Sequence, residues 1–69
     1  MIYFKQNIKF LRKKYKLSQT ELGYLLGISR NGVSALETRE TYPSFELLLK
    51  IRKIFNINLE DLIFKNLKE

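Results

Sequence analysis

Two polar residues near the middle of the chain, Arg30 and Asn31, have side chains suited to contacting nucleic-acid bases. An arginine can donate two parallel hydrogen bonds to guanine, and an asparagine can pair in a similar way with adenine. A few residues later, Ser34 and Ala35 offer a hydroxyl and a methyl group that can meet a base edge or a thymine methyl. Taken alone, Arg30 and Asn31 also fit an ordinary polar first turn of a helix. Their chemistry therefore depends on the elements that position them.

The composition argues against several other kinds of chemistry. The 69 residues include no cysteine and no histidine, which excludes disulfide bonds and removes the usual ligands of zinc and iron. No pair of carboxylates stands in an evident pocket, so acid/base and nucleophilic catalysis lack their usual groups. We therefore predict that the protein is not an enzyme and has no catalytic residue, no metal site, no cofactor and no small-molecule ligand.

Positive charge is concentrated at the beginning of the chain. The net charge is +6, and six cationic residues precede the first acidic residue, Glu21. They are Lys5, Lys9, Arg12, Lys13, Lys14 and Lys16. Such a block attracts polyanions, either nucleic acid or an acidic membrane surface, although a solvated helix face explains the charge equally well. The chain lacks an apolar stretch long enough for a signal peptide or a membrane span, which indicates a cytoplasmic protein.

Two helices are predicted in the first part of the chain. The first covers residues 4–15, because apolar side chains recur there at intervals of three and four residues. They are Phe4, Ile8, Leu11 and Tyr15. Ser18 and Glu21 have the spacing of a capping box, so a second helix is expected to begin at Ser18. Its inward-facing residues are predicted to be Leu22, Leu25 and Leu26.

A tight turn separates the second predicted helix from a third. Gly27 can adopt the left-handed conformation that ends a helix. Ser29 then provides a cap for a third helix that continues to about Thr38. Because Arg30 and Asn31 directly follow this cap, we expect them in the first turn of the third helix.

Residues 44–64 are predicted to form two more helices after a polar loop. Ser44 caps the first of them, and Asn58 caps the second, which is short. The buried face of the fourth helix is expected to contain Leu48, Ile51, Ile54 and Phe55. Residues 65–69 are expected to fray. Because no strand alternation or internal repeat is present, we predict an all-α single domain, residues 1–69, with five short helices around one core.

Residues 18–38 place small and apolar side chains at the spacing of a helix-turn-helix. Gly23 allows the second and third helices to cross closely, and Gly27 supplies the positive φ of the turn. Val33 and Leu36 anchor the third helix to the core. The opposite face of that helix is thereby left pointing outward.

This segment resembles the helix-turn-helix of the Cro/phage-repressor family, also called the xenobiotic response element family. The similarity covers residues 5–64 and includes positions outside the motif. The matching positions are Arg12, Leu17–Leu22, Gly27–Arg30, Glu37, Tyr42–Ser44 and Ile57–Leu62. The resemblance implies a compact lambda-repressor-like domain that binds double-stranded DNA sequence-specifically and regulates transcription.

Four positions depart from the family's pattern. Gly23 replaces a usual alanine, and Gly32 stands where a larger polar residue often contacts a base. Thr38 and Arg39 replace the asparagine-glycine pair that often follows the family's counterpart of Glu37. We expect the close helix crossing to be kept and the base contact at Gly32 to be lost or replaced by close backbone approach. The resemblance leaves the geometry of the loop after Glu37 open.

The resemblance also implies a role for each candidate residue. The third helix would enter the major groove with Arg30, Asn31, Ser34 and Ala35 directed toward the bases. Contacts to backbone phosphates are implied for Gln19, Ser29, Thr38, Arg39 and Tyr42. Ser29 is also explained as a cap, and Tyr42 as packing beside Pro43. Arg12 and Glu37 match positions that form a partly buried ion pair between the first helix and the end of the third.

An excess of apolar residues near the C-terminus predicts a homodimer. Eight apolar residues fall within residues 54–67, more than one small core is expected to bury. The candidate dimer contacts are Phe55, Ile57, Ile63 and Phe64. A symmetric pair places two recognition helices about 34 Å apart along the duplex, so the operator should be an inverted repeat bound by a homodimeric repressor.

Two other functions fit parts of this pattern. A basic amphipathic segment can bind a membrane surface, but the repeated helix caps favour a folded domain that buries its apolar stripes. The same fold can also serve as a protein-interaction module, for instance an antitoxin held by its toxin. Such modules generally bind DNA as well, so this alternative changes the partner more than the chemistry.

Overall fold

A computed structural model of the chain describes residues 2–40 and 42–69. Over these residues the chain forms five α-helices and no strand, which confirms the predicted all-α architecture. The helices are α1 (Phe4–Lys14), α2 (Gln19–Leu26), α3 (Arg30–Thr38), α4 (Phe45–Phe55) and α5 (Leu59–Phe64). None of the helices in the described ranges is long and apolar enough to cross a bilayer.

Side-chain caps begin α2, α3, α4 and α5, at the residues where the sequence predicts them. At α2, the Ser18 hydroxyl oxygen accepts from the Glu21 backbone N–H at 3.0 Å, and the Glu21 carboxylate accepts from the Ser18 backbone N–H at 2.8 Å. The other caps are Ser29, Ser44 and Asn58. The hydrogen bonds from the Ser18 backbone and hydroxyl group lower the pKa of the exposed Glu21 below its ordinary value.

The turn between α2 and α3 brings backbone against backbone. Gly27 ends α2 with a φ of 74°, and the Ile28 N–H donates to the Gly23 carbonyl oxygen at 2.9 Å. A Cβ atom at Gly23 would lie 2.7 Å from the Ile28 carbonyl oxygen. The expected close crossing is therefore present, and it is close enough that an alanine here would require the turn to shift.

One core joins the five helices, with α1 packed against both α3 and α5, and α2 against both α3 and α4. The buried apolar residues are Phe4, Ile8, Leu11, Leu22, Leu26, Val33, Leu36, Ile51, Phe55 and Leu62. The prediction that Leu25 faces inward is wrong, because Leu22 and Leu26 fill the inner face of α2 and leave Leu25 48% exposed. Tyr15 follows the last residue of α1, and its ring meets the Phe55 ring in a T-shaped arrangement.

The C-terminal residues are tied to α1 by a group of hydrogen bonds that we call the terminal clasp, formed by Tyr3, Gln6 and Asn7 with residues 62–67. The fully buried Asn7 amide donates to the carbonyl oxygens of Leu62 and Lys65 at 2.8 and 2.6 Å. Its oxygen accepts from the Leu67 N–H at 3.1 Å. The expectation that residues 65–69 fray is wrong for residues 65–67, because the buried amide satisfies the backbone groups there.

The remaining bonds of the terminal clasp come from the residues beside Asn7. Gln6 donates from its side-chain amide to the Asn66 side-chain oxygen at 2.7 Å. The Tyr3 backbone N–H donates to the Ile63 carbonyl oxygen at 2.9 Å. The start of α1 and the end of α5 are thereby held side by side.

Candidate nucleic-acid interface

The outward face of α3 begins directly after the Ser29 cap. Val33 and Leu36 bury the inner face, with exposures of 0% and 5%. Arg30 and Asn31 are both exposed in the first turn, where the sequence predicts them. Ser34 and Ala35, one turn further along α3, are half-buried. α3 thus exposes its polar N-terminal end fully and the face that carries Ser34 and Ala35 in part. The packed inner face fixes the orientation of the helix.

Gly32 lies in the same first turn but is directed partly toward the α2–α3 turn. A Cβ atom built there would lie 3.3 Å from the Cδ1 atom of Ile28. A side chain at this position would therefore start against Ile28 rather than in open space. Because glycine has no side chain, the backbone at this position can still approach a ligand closely.

The start of α2 is held to the end of α3 by a buried group that we call the charged cluster, consisting of Arg12, Gln19 and Glu37. The Arg12 Nε and Nη2 atoms lie 2.6 and 3.2 Å from the two Glu37 carboxylate oxygens. The two side chains are only 11% and 2% exposed. Arg12 also donates from Nη1 to the Leu17 carbonyl oxygen at 2.8 Å. The predicted ion pair is therefore present, and it closes the α1–α2 turn as well.

Gln19 is the part of the charged cluster that sequence reasoning did not find. Its side-chain amide donates to Glu37 Oε1 at 3.3 Å. This bond leaves Gln19 half-buried at the first position of α2, with a second amide N–H and its oxygen still able to bind. The sequence gives no indication of this contact, since Gln19 and Glu37 are brought together only by the packing of α2 on α3.

The other predicted phosphate contacts have different surroundings. The Ser29 hydroxyl oxygen accepts from the Gly32 N–H at 3.0 Å, which is the capping bond. Thr38 donates its hydroxyl hydrogen to the Ser34 carbonyl oxygen at 2.7 Å, so that hydrogen is used within α3. Arg39 is exposed, and Tyr42 is 82% exposed rather than packed beside the neighbouring proline.

The predicted dimer contacts separate into two groups. Phe55 is 3% exposed, so its assignment to a dimer contact is wrong: its ring belongs to the core, 5.2 Å from the Tyr15 ring. Phe64 is 60% exposed at the end of α5, while Ile57 and Ile63 are half-buried. Apolar crowding in the sequence gave no means of separating these residues, because burial depends on which neighbours the fold supplies.

Two exposed apolar residues on α4 were also missed. Phe45 and Leu49 are 67% and 42% exposed and lie one turn apart. They occupy a different face from the buried Ile51 and Phe55. The helical spacing of the fourth helix contained this signal, since positions outside its buried face should face solvent.

Comparisons with known proteins agree with this geometry. The Helix-turn-helix family model matches residues 8–62. The HTH-type transcriptional regulator YgzD of Bacillus subtilis is 38% identical over 60 residues, which cover 87% of this chain and 91% of that protein. Antitoxin PezA of Streptococcus pneumoniae is 40% identical over 58 residues, which cover 84% of this chain but only 37% of PezA.

A solved structure provides a similar backbone. The P22 c2 repressor, crystallised in complex with a synthetic operator, superposes with a TM-score of 0.81 and 31% sequence identity. The superposition covers 94% of this chain and 97% of the repressor chain. The likeness therefore extends over all five helices and beyond the two that form the motif.

Proposed function

The chain belongs to the Helix-turn-helix family of DNA-binding transcriptional regulators, which are not enzymes, and on that premise we propose that it is a repressor that binds an inverted-repeat operator as a homodimer. The arrangement of α3 is the main support. Its inner face is packed in the core, while Arg30 and Asn31 are exposed at its N-terminal end. We expect the protein to act in the cytoplasm.

We assign base reading to the first two turns of α3. Arg30 would donate to a guanine and Asn31 would pair with an adenine in the major groove. Ser34 and Ala35 would meet the bases one turn further along. The packing of Val33 and Leu36 supports this assignment, because it prevents α3 from rotating these side chains away from the groove.

Phosphate contacts are assigned to the first residue of α2 and to residues at or beyond the two ends of α3. Gln19 would donate its second amide hydrogen to a phosphate, with Glu37 fixing the orientation of the side chain. Ser29, Arg39 and Tyr42 are proposed as further contacts. Thr38 is proposed as well, although its hydroxyl hydrogen must first leave the Ser34 carbonyl oxygen.

The homodimer is proposed to form through Phe64, Ile57 and Ile63. Exposure of 60% for a phenylalanine beside half-buried isoleucines leaves apolar surface that a second copy can cover. A two-fold axis at this end would place two α3 helices about 34 Å apart on one face of the duplex. The relative solved as an operator complex, the P22 c2 repressor, supports recognition of operator DNA by this fold.

Selection of bound fragments from a random DNA pool tests the base contacts. Replacing Arg30 or Asn31 with alanine should cost about 1–3 kcal/mol of binding free energy on the selected site and relax the preference at one base pair in each half-site. Arg52→Ala, which removes an exposed cation from α4, is the matched control and should leave the base preference intact. Unchanged base preference in both α3 variants would reject this docking.

The assembly and the direction of regulation need separate measurements. Sedimentation should give a dimer, and footprinting should show protection of two symmetric half-sites. A monomer at tens of micromolar that protects one unrepeated half-site would contradict the homodimer. A reporter gene placed behind the selected site should lose expression when the protein is present, and increased expression would identify an activator.

The likeness to PezA favours a second candidate, an antitoxin that also binds DNA. The chain spans little more than a third of PezA, so the likeness covers only part of that antitoxin. Growth arrest caused by a neighbouring gene, relieved by co-expression of this chain, would support the antitoxin function.

A further inference from the structure

A recess of about 660 Å³ lies along the outer side of α1, beside the C-terminal residues. It is lined by Gln6, Lys9, Phe10, Lys13, Lys14 and Lys68. The lining thus combines four cations with one aromatic ring and contains no carboxylate. Gln6 and the tail that carries Lys68 are fixed by the terminal clasp, so the walls of the recess belong to the folded domain.

The recess faces a different direction from the contacts between α1 and the end of α3. Lys5 and Arg12 make those contacts, with Glu40 and Glu37 as their partners. With about 100° of rotation per residue, Phe10 lies about 160° around α1 from Arg12 and about 140° from Lys5. Lys9 lies at the edge of the recess nearer to them, about 40° from Lys5 and about 60° from Arg12. The centre of the recess, at Phe10, therefore lies away from α3, and Lys9 borders the side of α1 that adjoins α3.

The charges of the recess are uncompensated within the part of the chain that the structure describes. There the ion pairs join Lys5 to Glu40 and Arg12 to Glu37, and neither involves a lysine of the recess. Four ammonium groups around one apolar floor repel one another and attract an anionic partner. Their aliphatic stems can lie along Phe10 while the charged ends stay in water.

The shape of the recess favours an extended chain over a small molecule. A small-molecule pocket usually buries roughly 70–90% or more of its ligand's surface and has enclosing walls. Here the walls are long, exposed lysine side chains on one helix and one tail. The sugar-phosphate backbone of a double helix would satisfy the lysines but would leave the half-buried Phe10 ring without an apolar contact.

We propose that this recess binds an acidic segment of a partner protein. An aromatic or aliphatic side chain of that segment lies on Phe10, and its carboxylates pair with Lys9, Lys13, Lys14 and Lys68. Because Phe10, at the centre of the recess, lies on the side of α1 away from the end of α3, we expect the segment to bind whether or not DNA is present.

A short fluorescein-labelled peptide of aspartate and glutamate residues with one central phenylalanine is the probe. We expect saturable binding that weakens about fivefold when Lys9 and Lys13 are both replaced with glutamine, as the loss of two exposed ion pairs predicts. Replacing the peptide's phenylalanine with serine should weaken binding about tenfold, because the apolar contact with Phe10 is lost. Amide shifts in the NMR spectrum should map to residues 9–14 and Lys68.

The matched control removes the same charge from α4, by replacing the exposed Lys50 and Lys53 with glutamine. Equal weakening by this control would overturn the proposal, because net charge alone would then explain the binding. Equal binding of the serine-containing peptide would overturn it as well. If the Lys9/Lys13 variant instead loses affinity for DNA or for anionic vesicles and not for the peptide, the recess binds phosphates and the proposal fails.

The peptide measurements are independent of the proposed operator binding. They are made on the free protein and repeated on the protein bound to its selected DNA. Failure to find an operator leaves the first measurement interpretable, and loss of peptide binding on DNA would contradict separate occupancy of the two sites.

Discussion

α1 carries a buried polar group near each end, and the two groups differ in kind. Near its C-terminal end, the charged cluster pairs the guanidinium of Arg12 with the carboxylate of Glu37 and includes the amide of Gln19. Near its N-terminal end, the terminal clasp uses the neutral amide of Asn7 to satisfy three backbone groups. One end of α1 therefore positions the helix-turn-helix, and the other positions the end of α5.

The difference decides how each end should fail. A buried charge that loses its partner has no favourable alternative within the fold, so its cost is carried by the whole domain. Backbone groups that lose a neutral partner can be satisfied by water if the tail moves away. We therefore expect a substitution in the charged cluster to destabilise the whole domain. A substitution in the terminal clasp should act partly on the C-terminal residues alone.

The largest effect is expected for Glu37→Ala. This change leaves the Arg12 charge partly buried without its carboxylate and should lower the free energy of unfolding by about 3 kcal/mol. Urea denaturation measures the loss. Glu40→Ala removes the exposed carboxylate that pairs with Lys5 at 2.7 Å and serves as the control, with little expected change. Equal stability of Glu37→Ala and the wild type would mean that the pair does not hold α1 to α3.

A smaller loss, about 2 kcal/mol, is expected for Asn7→Leu, which fills the same space but leaves the three backbone groups unpaired. Amide hydrogen exchange provides the distinguishing measurement. Protection of the Leu67 amide should fall far more than protection of the α3 amides. Uniform loss of protection across the chain would show that the terminal clasp is as global as the charged cluster and would remove the contrast between them.

Gln19→Ala separates the structural role of the charged cluster from its proposed role in DNA binding. The Arg12–Glu37 pair remains, so stability should change little, whereas affinity for all DNA sequences should weaken by about 1 kcal/mol through loss of the proposed phosphate contact. Because Gln19 is neutral, the dependence of affinity on salt should stay the same. A changed base preference would show that Gln19 contacts bases instead.

The smallest effect concerns Glu21, an exposed carboxylate at the same helix start. Its pKa is lowered from 4.5 in the fold, so its stabilising contribution is fully present above pH 4.5 and is lost as pH falls through the lower folded value. The difference in thermal midpoint between wild type and Glu21→Gln should therefore shrink as pH falls below 4.5. A difference that grows on acidification would contradict the direction of the shift.

Much of the fold was predictable because its determinants are local. Each of the caps at Ser18, Ser29, Ser44 and Asn58 bonds to a residue only three positions away, and the left-handed turn needs only Gly27. Such signals are complete within one stretch of sequence. The Arg12–Glu37 pair was predictable for a different reason, since it was carried by the family resemblance.

What escaped prediction depends on residues far apart in the chain. Asn7 bonds to groups 55 to 60 residues away, and nothing near it in sequence indicates that its amide is buried. Phe55 was assigned to a dimer contact because composition counts apolar residues without saying which ones the core accepts. The same limit hid the Gln19–Glu37 bond and the position of Lys68 beside the lysines of α1.

The terminal clasp also has a consequence for the order of folding. Its contacts have nearly the largest sequence separation that this chain allows, and contacts of high separation form late because the loop between them must first be closed. The capped helices and the α2–α3 turn need no such closure. Pulse-labelling during refolding should therefore protect α2 and α3 before the Leu67 amide. The surface around Phe64 would then acquire its final shape last, so that the proposed homodimer would form only after the helix-turn-helix is complete.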